Sequence, residues 1–339
     1  MFQETKNESW IPKAIEACRR AAELNNRLAP VHTTLGLIYQ GQGKYDEAVK
    51  EFQRALALDA TSDAAYRGLA SSYEAIGKNK EAEAAYRQAI EMRKDYWGGY
   101  SALGAFYAKT ARYDDAAVQF RRIIELAPEN VRGYSNLAVV YAYQGKTQDA
   151  EELLRKSLNI EPNYRAYSNL ATMFFSDGKY SEAARMFEKA LQLNDRDPRV
   201  WRNQGDAYYW APGERDKAAA AYRKAVELLE AQRKVNPLEP KVMVELAISD
   251  SMLGKQAEAV ELMRRALARS PSDPEIMFRA AEIYEQGGDR TAALNWLGRA
   301  VRAGYSIAEI HHDPTLQGIR GYSQYKQLMQ ERPAHPPVK

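Results

Sequence analysis

A two-residue element, usually leucine followed by glycine or alanine, returns at nearly constant intervals along this chain of 339 residues. Its copies are Leu35-Gly36, Leu69-Ala70, Leu103-Gly104, Leu137-Ala138, Leu170-Ala171, Gln204-Gly205, Leu246-Ala247 and Ala280-Ala281. Successive copies are 34 residues apart, except for a spacing of 33 before the fifth copy and of 42 before the seventh. A constant interval of this length indicates repeats that stack on one another, because one repeat alone cannot bury its apolar face.

Further positions of fixed character lie within each interval, and their order indicates two helices joined by a turn. An aromatic residue follows the pair at Tyr39, Tyr73, Tyr107, Tyr141, Phe174, Tyr208 and Tyr284. A turn, often Gly-Lys, comes next, and an alanine then begins the apolar stripe of the second helix at Ala48, Ala82, Ala116, Ala150, Ala183, Ala218, Ala259 and Ala293. Four residues later stands a large apolar residue: Phe52, Tyr86, Phe120, Leu154, Phe187, Tyr222, Met263 or Leu297. Apolar residues at this spacing share one helix face.

The period and these positions resemble those of the tetratricopeptide-repeat (TPR) family. The resemblance implies an all-α fold, a right-handed α-solenoid of stacked helix-turn-helix repeats, and it covers about residues 29–303. In this register eight repeats begin at Ala29, Asp63, Trp97, Val131, Tyr164, Pro198, Pro240 and Pro274.

The pattern predicts an incomplete repeat in residues 1–28, where only a second helix is matched, by Ala14, Cys18, Ala21 and Leu24. This half-repeat is interpreted either as a cap or as the continuation of further chain, and the pattern favours neither. Residues 304–331 are predicted to form a C-terminal cap. Asp313-Pro314 is typical of a helix start, and a capping helix is predicted from Leu316, Ile319, Tyr322 and Leu328. Residues 332–339 are predicted to be disordered.

The sixth repeat, residues 198–239, is longer than the others by eight residues. Pro212-Gly213 lengthen its turn, and its second helix is predicted to continue through residues 227–233. This extension either protrudes as an edge for a partner or only changes the local angle between repeats. Gln204 and Asp250 stand where leucine and tyrosine are usual, so both need polar partners if they are buried.

The composition is ordinary for a soluble folded protein and argues against several other classes. With 48 basic and 45 acidic residues the net charge is +3, which does not predict nucleic-acid binding. The one cysteine, Cys18, excludes a disulfide within the chain, and no apolar run is long enough to span a membrane. We therefore expect a cytoplasmic location, or a periplasmic one if the chain is part of a larger membrane protein.

Two segments carry a second resemblance. The sequence of residues 303–314, together with Pro-Gly-Glu-Arg-Asp-Lys-Ala at 212–218, is similar to C-terminal repeat regions of large bacterial signalling proteins, among them serine/threonine kinases and winged-helix regulators. This similarity implies an interaction or regulatory module of such a protein.

No arrangement of side chains predicts catalysis, a metal site or a cofactor, so the chain is predicted not to be an enzyme. Gly145-Lys146-Thr147 resembles the end of a phosphate-binding loop, but Val140 stands where that loop requires glycine. The segment is better explained as the turn of a repeat.

In TPR proteins the first helix of each repeat lines the concave side, and the resemblance implies that the first helices of repeats four to six carry two rows of polar residues on this unburied face. Asparagine recurs at Asn136, Asn169 and Asn203, and arginine precedes each of them by four residues at Arg132, Arg165 and Arg199. That spacing places both residue types on one helix face. An asparagine amide can donate to and accept from a peptide backbone at once, and arginine binds carboxylate or phosphate in a bidentate manner.

The asparagine row resembles the asparagine ladder of O-linked N-acetylglucosamine transferase repeats, which implies an extended peptide as ligand. Alternatively, these asparagines tie helices together and the arginines are a solvated charged face. Arg202 and the aromatic residues Tyr143, Phe175, Tyr209 and Trp210 are predicted to complete a peptide-binding groove.

The sequence therefore predicts a non-catalytic scaffold that binds a partner protein or an extended, acidic peptide in the concave groove. The alternatives are a self-assembly module or a regulatory domain of a larger signalling protein. Neither nucleic acid nor a cofactor is expected as a ligand, and the sequence leaves the oligomeric state open.

Overall fold

The computed structural model describes residues 7–25 and 27–330, so the predicted disordered tail at 332–339 lies outside the described residues. The described residues form nineteen α-helices and one 3-10 helix, and they contain no β-strand. The predicted all-α solenoid of helix pairs is confirmed. The chain divides into two compact units, residues 1–156 and 157–339.

The first unit contains the half-repeat and the first four repeats. Its helices are α1 (Asn7–Leu24), α2 (Ala29–Gly41), α3 (Tyr45–Leu58), α4 (Asp63–Ala75), α5 (Asn79–Met92), α6 (Trp97–Lys109), α7 (Tyr113–Leu126), α8 (Val131–Tyr143) and α9 (Thr147–Ile160), the last of which continues past residue 156. Each even-numbered helix is the first of a repeat. The helices α2, α4 and α6 pack on the helix that follows and on the one that precedes them, and α8 packs on α7.

The second unit continues in the same way and ends in short helices. Its helices are α10 (Tyr164–Ser176), α11 (Tyr180–Leu193), α12 (Pro198–Trp210), α13 (Arg215–Val235), α14 (Pro240–Met252), α15 (Gln256–Arg269), α16 (Pro274–Gln286), α17 (Arg290–Arg302), α18 (Ile307–His312), the 3-10 helix Pro314–Ile319 and α19 (Ser323–Leu328). The extra residues of the sixth repeat lengthen α13 to 21 residues.

An aromatic ring that lies against glycine backbones locks the two helices of a repeat together. Phe52 on α3 is fully buried, and a Cβ atom added at Gly36 or Gly68 would lie 2.7 or 2.3 Å from its ring. Gly205 has the same relation to Tyr222 in the second unit, at 2.6 Å. At these positions only glycine allows so close an approach, and Gly36 and Gly205 are the small residues of their recurring pairs.

Three polar residues at core positions have hydrogen-bond partners. Gln204, 5% exposed, donates to the Tyr208 hydroxyl at 3.4 Å, and Asp250, 7% exposed, accepts from Lys255 at 3.1 Å. His32 in the first unit is buried against Glu51, with 2.7 Å between Nδ1 and Oε2. These contacts provide the polar partners that buried polar groups need.

The C-terminal cap differs from the single helix that the sequence predicts. The chain forms the 3-10 helix and α19 instead, with Gly318 and Gly321 near the break, and glycine is a poor helix former. Leu316, Ile319 and Leu328 are buried as expected. Tyr322 is exposed, and its hydroxyl accepts from Arg290 at 2.9 Å.

Replacing Ala111 by glycine is expected to stabilise the first unit by about 0.5–1 kcal/mol. Ala111 has a φ of 58°, in the left-handed region, whereas the matching turns of the neighbouring repeats have Gly77 and Gly145 at 77° and 75°. Relief of steric strain in Ala111→Gly exceeds the entropy cost of glycine. Urea unfolding followed by circular dichroism measures the change, with Gly77→Ala as the reverse control; equal destabilisation by both variants would contradict the argument.

Candidate functional site

The surface of interest in the second unit is the side of its first helices that the second helices leave uncovered. We call this the inner face. It is formed by the second, fifth, sixth, ninth, twelfth and thirteenth residues of α10, α12, α14 and α16. Because the helices of adjacent repeats pack side by side, residues at the same position of α10 and α12 form a row.

Two arginines at the second position of consecutive first helices are exposed cations. Arg165 on α10 is exposed, and its guanidinium lies 5.2 Å from the ring centroid of Tyr164, without a carboxylate partner among the described residues. Arg199 on α12 is 68% exposed, and its Nη2 lies 3.4 Å from Asp197, the residue that caps the helix. An ion pair this exposed contributes little to stability, so both guanidiniums are available to a ligand.

The amides of the inner face lie one helical turn beyond these arginines. Asn169 and Asn203 are both half-buried, four residues after Arg165 and Arg199. The Asn203 side chain makes no hydrogen bond to any other residue of the described chain. A half-buried amide of this kind can hydrogen-bond a peptide group that reaches it.

Arg202 has a different environment from its two neighbours in the predicted groove. Its side chain is 13% exposed, and it donates to Asp206 at 2.8 Å and to Glu245 of α14 at 2.9 Å. Asp206 also accepts from the Tyr222 hydroxyl at 2.8 Å, and burial together with Asp206 raises the pKa of Tyr222, which keeps it a donor. This network joins α12, α13 and α14 and occupies Arg202 within the protein.

Four aromatic rings form a chain along the edge of the inner face where the first helices end. Phe175 meets Tyr180 at a centroid distance of 5.1 Å, Tyr180 meets Trp210 at 6.3 Å, and Trp210 meets Tyr209 at 5.2 Å. All four rings are half-buried, and the guanidinium of Arg215 lies 4.0 Å from the Tyr209 centroid.

Tyr180 was not among the site residues predicted from the sequence, although a recurring pattern in the sequence indicates it. A tyrosine begins the second helix directly after the turn in three repeats, at Tyr45, Tyr113 and Tyr180. Burial and the charge of Asp313 raise the pKa of Tyr180 despite the opposing charge of Arg320, so it is a neutral hydroxyl near the C-terminal segment.

The remaining predicted residues belong to the first unit. Arg132 on α8 is exposed, with its guanidinium 5.7 Å from the Trp97 ring centroid. Asn136 is half-buried and makes no hydrogen bond within the described residues. Tyr143 is 56% exposed and stacks on Tyr113 at 5.2 Å.

Neither metal-binding nor membrane-spanning features occur in the described parts of the chain. No group of three or more histidine, cysteine or acidic side chains is placed to hold a metal ion there. No described helix combines the length and the apolar character needed to cross a bilayer.

Three sequence families match the chain, and each is described as a tetratricopeptide repeat. One matches residues 27–95 and 131–196, a second 168–233 and a third 252–311, which together are more than half of the chain. No protein with a curated description matches the sequence significantly.

Three solved structures are among those similar to this chain. MamA aligns with 44% of this chain and 88% of its own at 25% identity and a TM-score of 0.40. A thermophilic TPR protein of Thermus thermophilus aligns with 53% of this chain and 98% of its own at 24% identity and a TM-score of 0.47. A chain of the APC/C hetero-tetramer Cut9–Hcn1 aligns with 93% of this chain and 58% of its own, at 13% identity and a TM-score of 0.55.

Proposed function

Because the chain belongs to the tetratricopeptide-repeat family, whose repeats are scaffolds for protein–protein interaction, we propose that it binds an extended acidic segment of a partner protein on the inner face of its second unit. Proteins of this fold are typically non-catalytic scaffolds. The acidic character of the ligand and the residues that hold it are the specific part of the proposal.

The observation that carries the proposal is the pair of exposed arginines on adjacent first helices. Arg165 and Arg199 occupy the same position of α10 and α12. Arg165 has no carboxylate partner among the described residues, and Arg199 is 68% exposed with one contact of 3.4 Å to Asp197. An arginine can bind a carboxylate through two parallel hydrogen bonds, which are stronger than neutral ones. Two such groups in a row match an extended chain with acidic side chains at intervals.

The amides explain why the ligand would be an extended polypeptide. Asn203 lies one turn from Arg199 and has no hydrogen-bond partner in the described chain. An extended peptide exposes unpaired N–H and C=O groups, and an asparagine can satisfy one of each. The arginines then select acidic side chains, while the amides bind the backbone irrespective of sequence.

The aromatic chain provides apolar contact beside these polar groups. Phe175, Tyr180, Trp210 and Tyr209 are only half-buried, and the indole N–H of Trp210 makes no hydrogen bond within the described residues. Aromatic residues and arginine are enriched in protein interfaces because they combine large contact area with polar groups.

The experiment compares binding of a labelled peptide of alternating glutamate and serine by fluorescence anisotropy in the wild type and in Arg165→Ala/Arg199→Ala. We expect the double variant to weaken binding by about 100-fold or more, since each of the two charge-assisted contacts contributes about 1.5–3 kcal/mol and about 1.4 kcal/mol corresponds to a factor of ten. Asn169→Ala/Asn203→Ala is expected to weaken binding of the acidic peptide and of its glutamine analogue alike.

The matched control is Arg185→Ala/Arg223→Ala, which removes two exposed arginines from the second helices α11 and α13. Equal losses in both arginine double variants would mean that only net charge matters, and unchanged affinity in all variants would reject the site. Sedimentation velocity over a range of protein concentrations identifies self-assembly as the competing use of this surface.

A further inference from the structure

The inner face of the last repeat is covered by the chain's own C-terminal segment, residues 305–320. The Tyr305 ring stacks on Phe278 of α16 at a centroid distance of 4.3 Å, and the 3-10 helix Pro314–Ile319 packs against the same helix. Phe278 is consequently 1% exposed, although it lies at an inner-face position. The segment thus occupies on α16 the surface that α10 and α12 leave open.

An apolar anchor holds this segment firmly. Ile310, Leu316 and Ile319 are all fully buried against Leu297, Val301 and their neighbours. Full burial of such side chains contributes about 1.5–3 kcal/mol each. A change at the polar edge of the segment therefore loosens it locally and does not detach it.

The polar edge contains two carboxyl groups with one hydroxyl between them. The Thr315 hydroxyl donates to Oδ1 of Asp313 and also lies 3.4 Å from Oε1 of Glu282, which is 6% exposed on α16. Asp313 Oδ1 additionally accepts the backbone N–H of Thr315 at 2.8 Å and so caps the 3-10 helix. Thr315 has one hydroxyl proton, so with both carboxyls ionised the contact to Glu282 lacks a proton.

Other charged groups on α16 and on the elements packed against it are already engaged. Arg279, on the same helix, donates from Nη1 to both Glu282 oxygens at 3.1 and 2.9 Å, and it also faces Tyr305, Asp313 and Glu275. On α14, Glu245 is paired with Arg202, and on α17, Arg290 lies 3.8 Å from Glu285. Arg320 of the segment donates to the carbonyls of His311 and Asp313. On α15, Arg264 is paired with Glu261.

We propose that one proton held between Glu282 and Asp313 fastens the C-terminal segment on the inner face of α16, and that loss of this proton at alkaline pH loosens residues 305–320. When the proton is present, the Glu282 carboxyl donates a hydrogen bond in the direction of Asp313, and it still accepts hydrogen bonds from Arg279. With the proton lost, two carboxylates face each other in a site that excludes water, which is unfavourable.

The titration of Glu282 supports this arrangement and sets its direction. Burial and the neighbouring Asp313 raise the pKa of Glu282 to about 8, against the opposing charge of Arg279. A loosened, solvated Glu282 has its ordinary pKa, about 4.3. Docking is therefore most favourable below the ordinary value, weakens as pH rises, and reaches its minimum above the raised pKa.

The test measures hydrogen exchange of the amides of residues 305–320 in the full chain at about pH 6 and about pH 9. For each variant the exchange rates are corrected for the intrinsic effect of pH. We expect protection in the wild type to fall by about 30-fold or more between the two values, since each pH unit below the raised pKa changes the docking equilibrium about tenfold.

Glu282→Gln is expected to remove this dependence, because glutamine can donate toward Thr315 and Asp313 at any pH. Asp313→Asn retains the helix cap and is expected to move the loss of protection to lower pH, since the neighbouring charge is gone. Glu261→Gln, an exposed carboxylate on α15, is the matched control and should behave as the wild type.

A parallel fall of protection in the wild type and in Glu282→Gln would overturn the proposal, as would an unchanged pH dependence in Asp313→Asn. The measurement reads docking of the segment directly and involves no peptide. Its outcome is therefore independent of whether the acidic ligand proposed above binds.

Discussion

Arg202→Ala is expected to lower the free energy of unfolding of the second unit by about 3–5 kcal/mol, because the guanidinium is the partner of two carboxylates that are largely buried. Asp206 and Glu245 are 22% and 19% exposed, and both accept from Arg202. Truncation removes the guanidinium from which both carboxylates accept hydrogen bonds. Urea unfolding monitored by circular dichroism and by tryptophan fluorescence measures the loss.

Arg165→Ala is the matched control, since it removes the same residue type from the inner face of the neighbouring first helix. Arg165 is exposed and has no carboxylate partner in the described chain, so the change is expected to stay within about 0.5 kcal/mol. Equal and small effects of the two substitutions would contradict the structural role of Arg202 and would return it to the set of ligand-binding candidates.

Phe52→Ala is expected to destabilise the first unit by about 3–5 kcal/mol, since it empties the space between three helices. The ring is fully buried and lies against Gly36 of α2 and Gly68 of α4. Gly68→Ala in the wild type is expected to cost about 1–3 kcal/mol, because its Cβ would lie 2.3 Å from the ring.

The informative result is the combination of these two substitutions. In the Phe52→Ala background the ring is absent, and Gly68→Ala is then expected to stabilise by about 1 kcal/mol through the better helix propensity of alanine. Gly41→Ala is the control, because no atom lies within 4 Å of its added Cβ. If the two effects simply add, glycine is not required here for close approach of the ring.

The repeat architecture could be predicted from the sequence because it arises from contacts between neighbouring helices. Gly36, Gly68 and Phe52 each follow from the packing of neighbouring helices, and such packing recurs with the period of the chain. Ala111 was harder to interpret, since it replaces the glycine of the other turns and nevertheless adopts their left-handed conformation. Glycine is the preferred residue in such a turn, but other residues can also adopt the left-handed conformation.

The candidate site could be predicted from the sequence only in part, because a sequence does not distinguish buried from exposed charged residues on one helix face. Arg165, Arg199 and Arg202 all lie on the first-helix surface, yet only Arg202 is enclosed. Its partner Glu245 is 43 residues away, across the long sixth repeat. That contact depends on where α14 lies beside α12, and no local pattern encodes the position of α14. The proton-sharing pair of Glu282 and Asp313 was hidden for the same reason.

The helices in each unit pack mainly against the helices next to them in the chain, and this has a consequence for how the protein loses its structure. The described residues of each unit share no single core on which all of its repeats depend, so heat or denaturant would melt each unit in patches that spread from weak points. A bulk signal such as ellipticity would then show a broad, shallow transition. Probes placed in different repeats would report different unfolding midpoints, and each midpoint would describe only the repeats near that probe.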